Sequence, residues 1–461
     1  MVRQKSPLGL LKKAVSLAGC VTRPLWLGAE FFGRQGLANH AAAGAYGFFL
    51  SAAPALLIVS FFIFRTIQTS PEAVVELVSR SGFFSNTFDI PGIIKTFLAT
   101  QKQGIPGFIS VLSVLWAAVV FSSVMRRGLE IVFIPARTSG LAGNFEPKSR
   151  GLLGTIGVSL GIEAALILFT FAAVMNSYLM IRLFQFLGII SPRIPSFFRI
   201  GVSLIPNLVM ILLVYCAYSF IPSNPPKPPA ALGGTAACLI LYGAVSFLLH
   251  FILLPGRYNI LYGTLGSLII FIINVYFFFL FFFFGAELSY VIDSFDVLYF
   301  SKFRKIHSSP AQKYNFFEKH LFASFEGPLH KYIRRFKKGD VIMRKNDINW
   351  DVYYLVSGEV GIFLDSPPEH EGKDPGLYPE ESGIAIVGEG NFFGEMEYLL
   401  DEPRSAGARA LRDAVTLALP PEFFWKLINN DPAINYRLIE ILSERLKHTD
   451  EKFTAASQEG G

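Results

Sequence analysis

Between Gly394 and Ala406 the chain reads Gly-Glu-Met-Glu-Tyr-Leu-Leu-Asp-Glu-Pro-Arg-Ser-Ala. Arg404 brings a guanidinium and Ser405 a hydroxyl, and Gly394 carries no side chain to block a ligand's approach. A buried guanidinium among clustered backbone N–H groups neutralises a singly charged phosphate. A second set of ionisable groups lies in apolar sequence. Glu163 sits about midway along an otherwise uncharged run, Leu152 to Met175. A lone carboxylate there needs a partner, a water-filled cavity or a proton, and each of these suits ion or proton coupling. The plainer alternative is a protonated carboxyl bonded to a neighbouring helix. Glu287 lies near the end of another run, where lipid headgroups would solvate it, and reads first as structural.

These groups must be held by elements in two different solvents. Of 461 residues 52% are hydrophobic and only 16% charged, with a mean hydropathy of +0.45, more apolar surface than one soluble core hides. From Ala230 to Ala286 only Arg257 is formally charged, whereas charges crowd the sequence after Leu329. Six apolar runs approach the length needed to cross ~30 Å of hydrocarbon: Ala42 to Phe64, Phe108 to Met125, Leu152 to Met175, Ile200 to Ile221, Ala230 to Leu254 and Leu261 to Gly285. Basic residues cluster before the first run (Lys12, Lys13, Arg23, Arg34), between the second and third (Arg126, Arg127, Arg137, Lys148, Arg150) and after the sixth (Lys302, Arg304, Lys305). By the positive-inside rule both termini face the cytoplasm, although Arg182, Arg193 and Arg199 stand against that orientation. Leu8 to Phe32, interrupted by Pro24, is expected as an interfacial helix.

The expected domains are an interfacial segment over 1–40, a membrane domain over 41–293, a polar linker over 294–330 and a soluble domain over 331–461. In the last, short runs such as Tyr353 to Val356, Gly361 to Leu364 and Ile384 to Val387 alternate with glycine-rich turns, as in a small antiparallel roll. Pro421 to Ile428 and Ala433 to Lys447 carry helical apolar spacing. No metal-ligand cluster and no Ser/His/Asp arrangement is visible, so neither catalysis nor a resident cofactor is expected. The net charge of +6 forms no basic stripe interleaved with aromatics, which argues against nucleic acid.

The segments Phe336 to Ile342, Tyr354 to Val360 and Gly388 to Glu395, with the cassette from Gly394 to Ala406, resemble the cyclic-nucleotide-binding domain family. The resemblance implies an eight-stranded β-roll with flanking helices. It also implies roles: Arg404 pairs with the cyclic phosphate, Glu395 accepts from the ribose 2′-hydroxyl, and Gly394, Ser405 and Ala406 bring donors close. The ligand implied is cAMP or cGMP, and the cassette does not choose between them. Two alternatives stay open. Arg404 and Glu395 could pair with each other in a roll that binds nothing. Glu397, where the family has a small residue, either faces inward and repels the phosphate or faces outward and leaves only its N–H in the pocket.

Ala41 to Pro54, Tyr262 to Gly266 and Gly285 to Leu288 resemble the YihY/BrkB family, once labelled ribonuclease BN. That resemblance implies a six-span α-helical bundle in the inner membrane with a transport role on an unknown solute. Together the two resemblances imply a lipid-embedded, permease-like protein regulated by a cyclic nucleotide. Homo-oligomerisation is expected by analogy. The alternative is a membrane scaffold whose roll binds no nucleotide.

Overall fold

The computed structural model describes residues 7–50, 105–133, 161, 196–252, 264–308, 316–322, 327–363, 383–400, 402–436, 438–440 and 443. The chain divides into two compact units with a boundary between Asp293 and Ser294.

α1 (Pro7–Arg34), which belongs to the helical unit from Cys20 onward, runs unbroken through Pro24, so the proline does not end the helix as its sequence position suggests. A helical segment follows over 37–50, then α2 (Ile105–Phe133), α3 (Ser196–Phe220), α4 (Pro228–Ile252) and α5 (Thr264–Asp293). Among the described residues, Pro228–Leu249 and Ile272–Asp293 are long and apolar enough to cross a membrane. Of the six expected spans, the third lies almost wholly outside the described residues and the first is described only to Leu50.

α5 gathers its neighbours. Phe279, Phe282 and Phe283 are buried, and the Phe279 ring meets those of Phe48 and Phe121 edge-on or tilted. The Phe279, Phe282 and Phe283 rings therefore serve as core. Tyr218 Oη of α3 donates to the Phe282 carbonyl oxygen at 2.6 Å. α4 and α5 approach closely: a Cβ on Gly285 would stand 2.6 Å from the Gly234 carbonyl oxygen. Small residues permit such contact where helix association rests on packing, because lipid tails are as apolar as the side chains they replace. On the outward side of α4, Phe247 is 76% and Ile240 69% exposed, apolar surface of the kind a membrane covers.

The second unit holds eight described strands. β1 (Ile333–Phe336), β8 (Ala414–Leu419), β3 (Val352–Ser357) and β6 (Phe392–Phe393) form one antiparallel sheet in that order. β2 (Val341–Met343), β7 (Gly407–Ala410), β4 (Val360–Phe363) and β5 (Gly383–Val387) form the other. Period-two alternation sends Met343, Tyr353, Leu355, Val360, Phe393, Ala408 and Ala410 into one core. A short helix α8 (Glu395–Leu400) follows β6, and α9 (Pro421–Asn430) follows β8. In the expected helix after Ala433, Ile434 and Leu438 are buried, while Ile441, Leu442 and Leu446 lie outside the described residues.

The polar linker carries the helical patches expected of it, but it is not a free connector. It contains α6 (Phe295–Ser308) and α7 (Phe316–Phe322), and α6 packs onto the roll. Phe300 is fully buried against the rings of Tyr354, Phe392 and Phe423. Mixed charge conceals this in the sequence, since the polar residues of α6 are partners too: Lys302 pairs with Glu318 at 2.7 Å.

Candidate functional site

The cassette begins where β6 ends. Gly394 adopts φ +75, and a Cβ there would lie 2.7 Å from Arg404 Nη1, so this position requires glycine for both conformation and space. α8 starts at the next residue and turns Glu395 and Glu397 inward, 1% and 5% exposed.

Arg404 arrives from the other side and is 1% exposed. Its backbone is held by the loop between β2 and β3. Asn346 N–H donates to the Arg404 carbonyl oxygen at 2.8 Å, and Arg404 N–H donates to the Asp347 carbonyl oxygen at 3.3 Å. That loop is closed by the Asp347 carboxylate, which accepts from Arg344 N–H at 2.9 Å, and by Asn346 at φ 69. The Asn-Asp pair after β2 is the sequence signal for this support.

The guanidinium has three directed contacts. Nη1 donates to the Gly394 carbonyl oxygen at 2.7 Å and to Glu397 Oε2 at 3.1 Å. Nη2 donates to the Asp351 carbonyl oxygen at 2.6 Å. Nε is buried and has no hydrogen-bond partner. Ser405 joins the same carboxylate: its N–H donates to Glu397 Oε1 at 3.1 Å and its hydroxyl at 2.8 Å. Ala406 follows, 8% exposed.

Two sequence expectations are thereby settled in geometry. The acidic partner of Arg404 is Glu397 rather than Glu395, and Glu397 faces inward. The reason is register: on α8 the residue two beyond Glu395 reaches across to the Arg404–Ser405 peptide. Burial pushes the Glu397 carboxyl up. Its own backbone N–H, the Ser405 hydroxyl and N–H and the Arg404 charge outweigh that and hold it below the usual carboxylate range.

A second polar cluster was not apparent in the sequence. Asp431, just after α9, is fully buried. It accepts from the Ser301 hydroxyl at 2.6 Å and pairs with Arg304 at 3.4 Å and Lys305 at 3.3 Å. These contacts fasten α6 to the roll. Burial raises the Asp431 carboxyl, and the Ser301 hydroxyl with the Lys305 and Arg304 charges more than offset it, leaving it below its ordinary value.

Of the intramembrane candidates, Glu163 lies outside the described residues. Glu287 is enclosed by protein, 0% exposed, and neither carboxylate oxygen has a hydrogen-bond partner. The expectation of headgroup solvation is corrected: the helices around α5 cover it.

Comparison with known proteins finds two matching family models, Virulence factor BrkB over residues 29–299 and Cyclic nucleotide-binding domain over residues 333–431. Over 117 residues the chain is 32% identical to the Cyclic AMP receptor protein of Thermus thermophilus, covering 25% of this chain and 50% of that protein. It is 26% identical over 117 residues to Lysophospholipase nte1 of Aspergillus fumigatus, covering 25% of this chain and 7% of that protein. The chain thus spans half or less of the length of these curated relatives. Among solved structures, the Thermus thermophilus Catabolite Activator Protein aligns at 30% identity with a TM-score of 0.23, over 28% of this chain and 57% of that one.

Proposed function

The chain belongs to the Virulence factor BrkB family and carries a cyclic-nucleotide-binding domain beyond its membrane part, and from that premise we propose that it is a six-span membrane transporter regulated by a cyclic nucleotide. The nucleotide enters the cradle of Arg404, Ser405 and Gly394, with Glu395 and Ala406 beside it. Its arrival changes how α6 is held, and α6 is joined to α5 by the single residue Ser294. Both termini face the cytoplasm, where such nucleotides are found. The role is not catalytic. In the bundle, Glu287 and Glu163 are the groups for proton or ion coupling to solute movement.

One observation carries the reading. A buried guanidinium, a backbone N–H and a hydroxyl converge on one singly charged group, which makes the cradle complementary to an anion of that charge. The present occupant, Glu397, favours a second reading in which the roll is complete by itself and serves as a scaffold at the membrane surface.

Calorimetric titration of the full chain in lipid nanodiscs with cAMP and with cGMP separates the two. The sensor reading predicts saturable heat with at least one of them. It also predicts that the double variant Arg404→Ala/Glu397→Ala, which leaves no unpaired buried charge, binds about 100-fold more weakly or worse. No heat from a folded wild-type chain, or equal binding by the double variant, favours the scaffold.

A further inference from the structure

We propose that Glu397 is a resident substitute for the ligand's phosphate, and that its carboxylate sets how tightly a cyclic phosphate binds this roll. The inference rests on the sensor reading, in that it takes Arg404 and Ser405 to be the groups a cyclic phosphate uses.

The carboxylate holds the donors that a phosphate requires. Oε2 takes Arg404 Nη1 at 3.1 Å, and Oε1 takes both the N–H of Ser405 at 3.1 Å and its hydroxyl at 2.8 Å. It carries one negative charge, as a cyclic phosphodiester does. The ion pair is enclosed, with side chains 1% and 6% exposed, so water screens it little. A phosphate brought in with Glu397 in place would set two negative charges against one guanidinium. The ligand must therefore displace the carboxylate from Arg404 and Ser405, and its net affinity is its intrinsic affinity reduced by the occupancy of the resident group.

Displacement has somewhere to act. Glu397 belongs to a helix of only six residues, Glu395–Leu400, so turning it out of the cradle disturbs one short element. Leu400 at the end of that helix is already exposed. Protonation does not open the site near neutral pH, because the cradle itself stabilises the charged carboxylate. The partners that face it are Arg404 and Ser405 from the segment before β7.

The test compares three full-length chains in nanodiscs: wild type, Glu397→Ala and Glu397→Gln. Each is titrated with cAMP and cGMP after its melting curve shows that it folds. Glu397→Gln keeps the volume and can still accept from Ser405, so it carries the test if Glu397→Ala does not fold. The expected result is binding at least about tenfold tighter in Glu397→Ala than in wild type, about 1.4 kcal/mol at 25 °C, with Glu397→Gln between them. Binding by Glu397→Ala with a silent wild type also supports the inference, while overturning nucleotide control of the unmodified chain. Equal affinity in wild type and the variants overturns the inference and leaves the sensor reading standing. Silence from all three folded chains overturns both.

Discussion

Gly394 and Glu397 constrain the same guanidinium from two sides. Because Gly394 combines φ +75 with a carbonyl oxygen 2.7 Å from Arg404 Nη1, Gly394→Ala adds backbone strain and pushes the arginine away. The expected loss is about 1–3 kcal/mol of roll stability, read as a lower melting temperature. Gly388→Ala, where a Cβ meets nothing within 4 Å, should melt like the wild type. Acid is the second probe at this scale. Glu397 and Asp431 both have folded pKa values below their unfolded ones, so their stabilisation is complete above the ordinary carboxylate range of about 4 and is lost as pH falls through the lower folded values. The roll's melting temperature should hold level from about pH 7 to 5, then drop below about 4, and Glu397→Gln should flatten part of that drop. A melting temperature unchanged between pH 6 and 3 would contradict the two buried ion pairs. Arg404, Ser405 and Gly394 were legible through the resemblance of their cassette to the cyclic-nucleotide-binding family, whose chemistry a guanidinium and close backbone donors explain. The sequence did not reveal which way Glu397 turns, since that depends on the register of α8 against a segment seven residues later.

Elements show a similar division. The strands were legible as short apolar runs between glycine-rich turns: β3 and β5 cover two of the runs so identified, and β4 covers the third as far as Phe363, Leu364 lying outside the described residues. The helical character of the linker was legible too, but the packing of α6 was not, because its buried Val297, Leu298, Phe300 and Phe303 are interleaved with charges that in a helix of unknown partner look like solvated positions. Its attachment can be tested in two ways. Phe300→Ala removes a ring that touches three others and should cost about 3–5 kcal/mol. Asp431→Ala leaves Arg304 and Lys305 without their shared carboxylate and should also lower the melting temperature and expose α6 to proteolysis. If protease sensitivity between residues 295 and 308 is unchanged in both variants, α6 is not held as described. In the bundle, Gly234 and Gly285 meet backbone to backbone, whereas Gly44 and Gly47 meet the rings of Phe279 and Phe121, a difference that glycine spacing in the sequence does not show. Glu287 makes a prediction of opposite sign. An enclosed carboxylate without a hydrogen-bond partner destabilises its surroundings, so Glu287→Met should stabilise the chain in detergent by about 1–3 kcal/mol, read as a higher melting temperature. A lower melting temperature would mean that the carboxylate is satisfied.

At the scale of the whole molecule, the division into a bundle in lipid and a roll in water follows from charge distribution alone, and it coincides with the two family matches. What composition could not supply is the path between them. α5 and α6 are consecutive helices with one residue between, and α6 is gripped by the roll through Phe300 and Asp431. Under the proposed function a nucleotide biases the bundle only by the difference in its affinity for the roll's two states. That difference must therefore appear in α6. Hydrogen–deuterium exchange on the full chain in nanodiscs, with and without saturating cAMP or cGMP, reads it residue by residue. The account predicts altered exchange both in residues 394–406 and in residues 295–308, with both changes absent in Arg404→Ala/Glu397→Ala. Exchange that changes in the cassette but not in α6, or that changes nowhere, would contradict a nucleotide signal to the membrane domain.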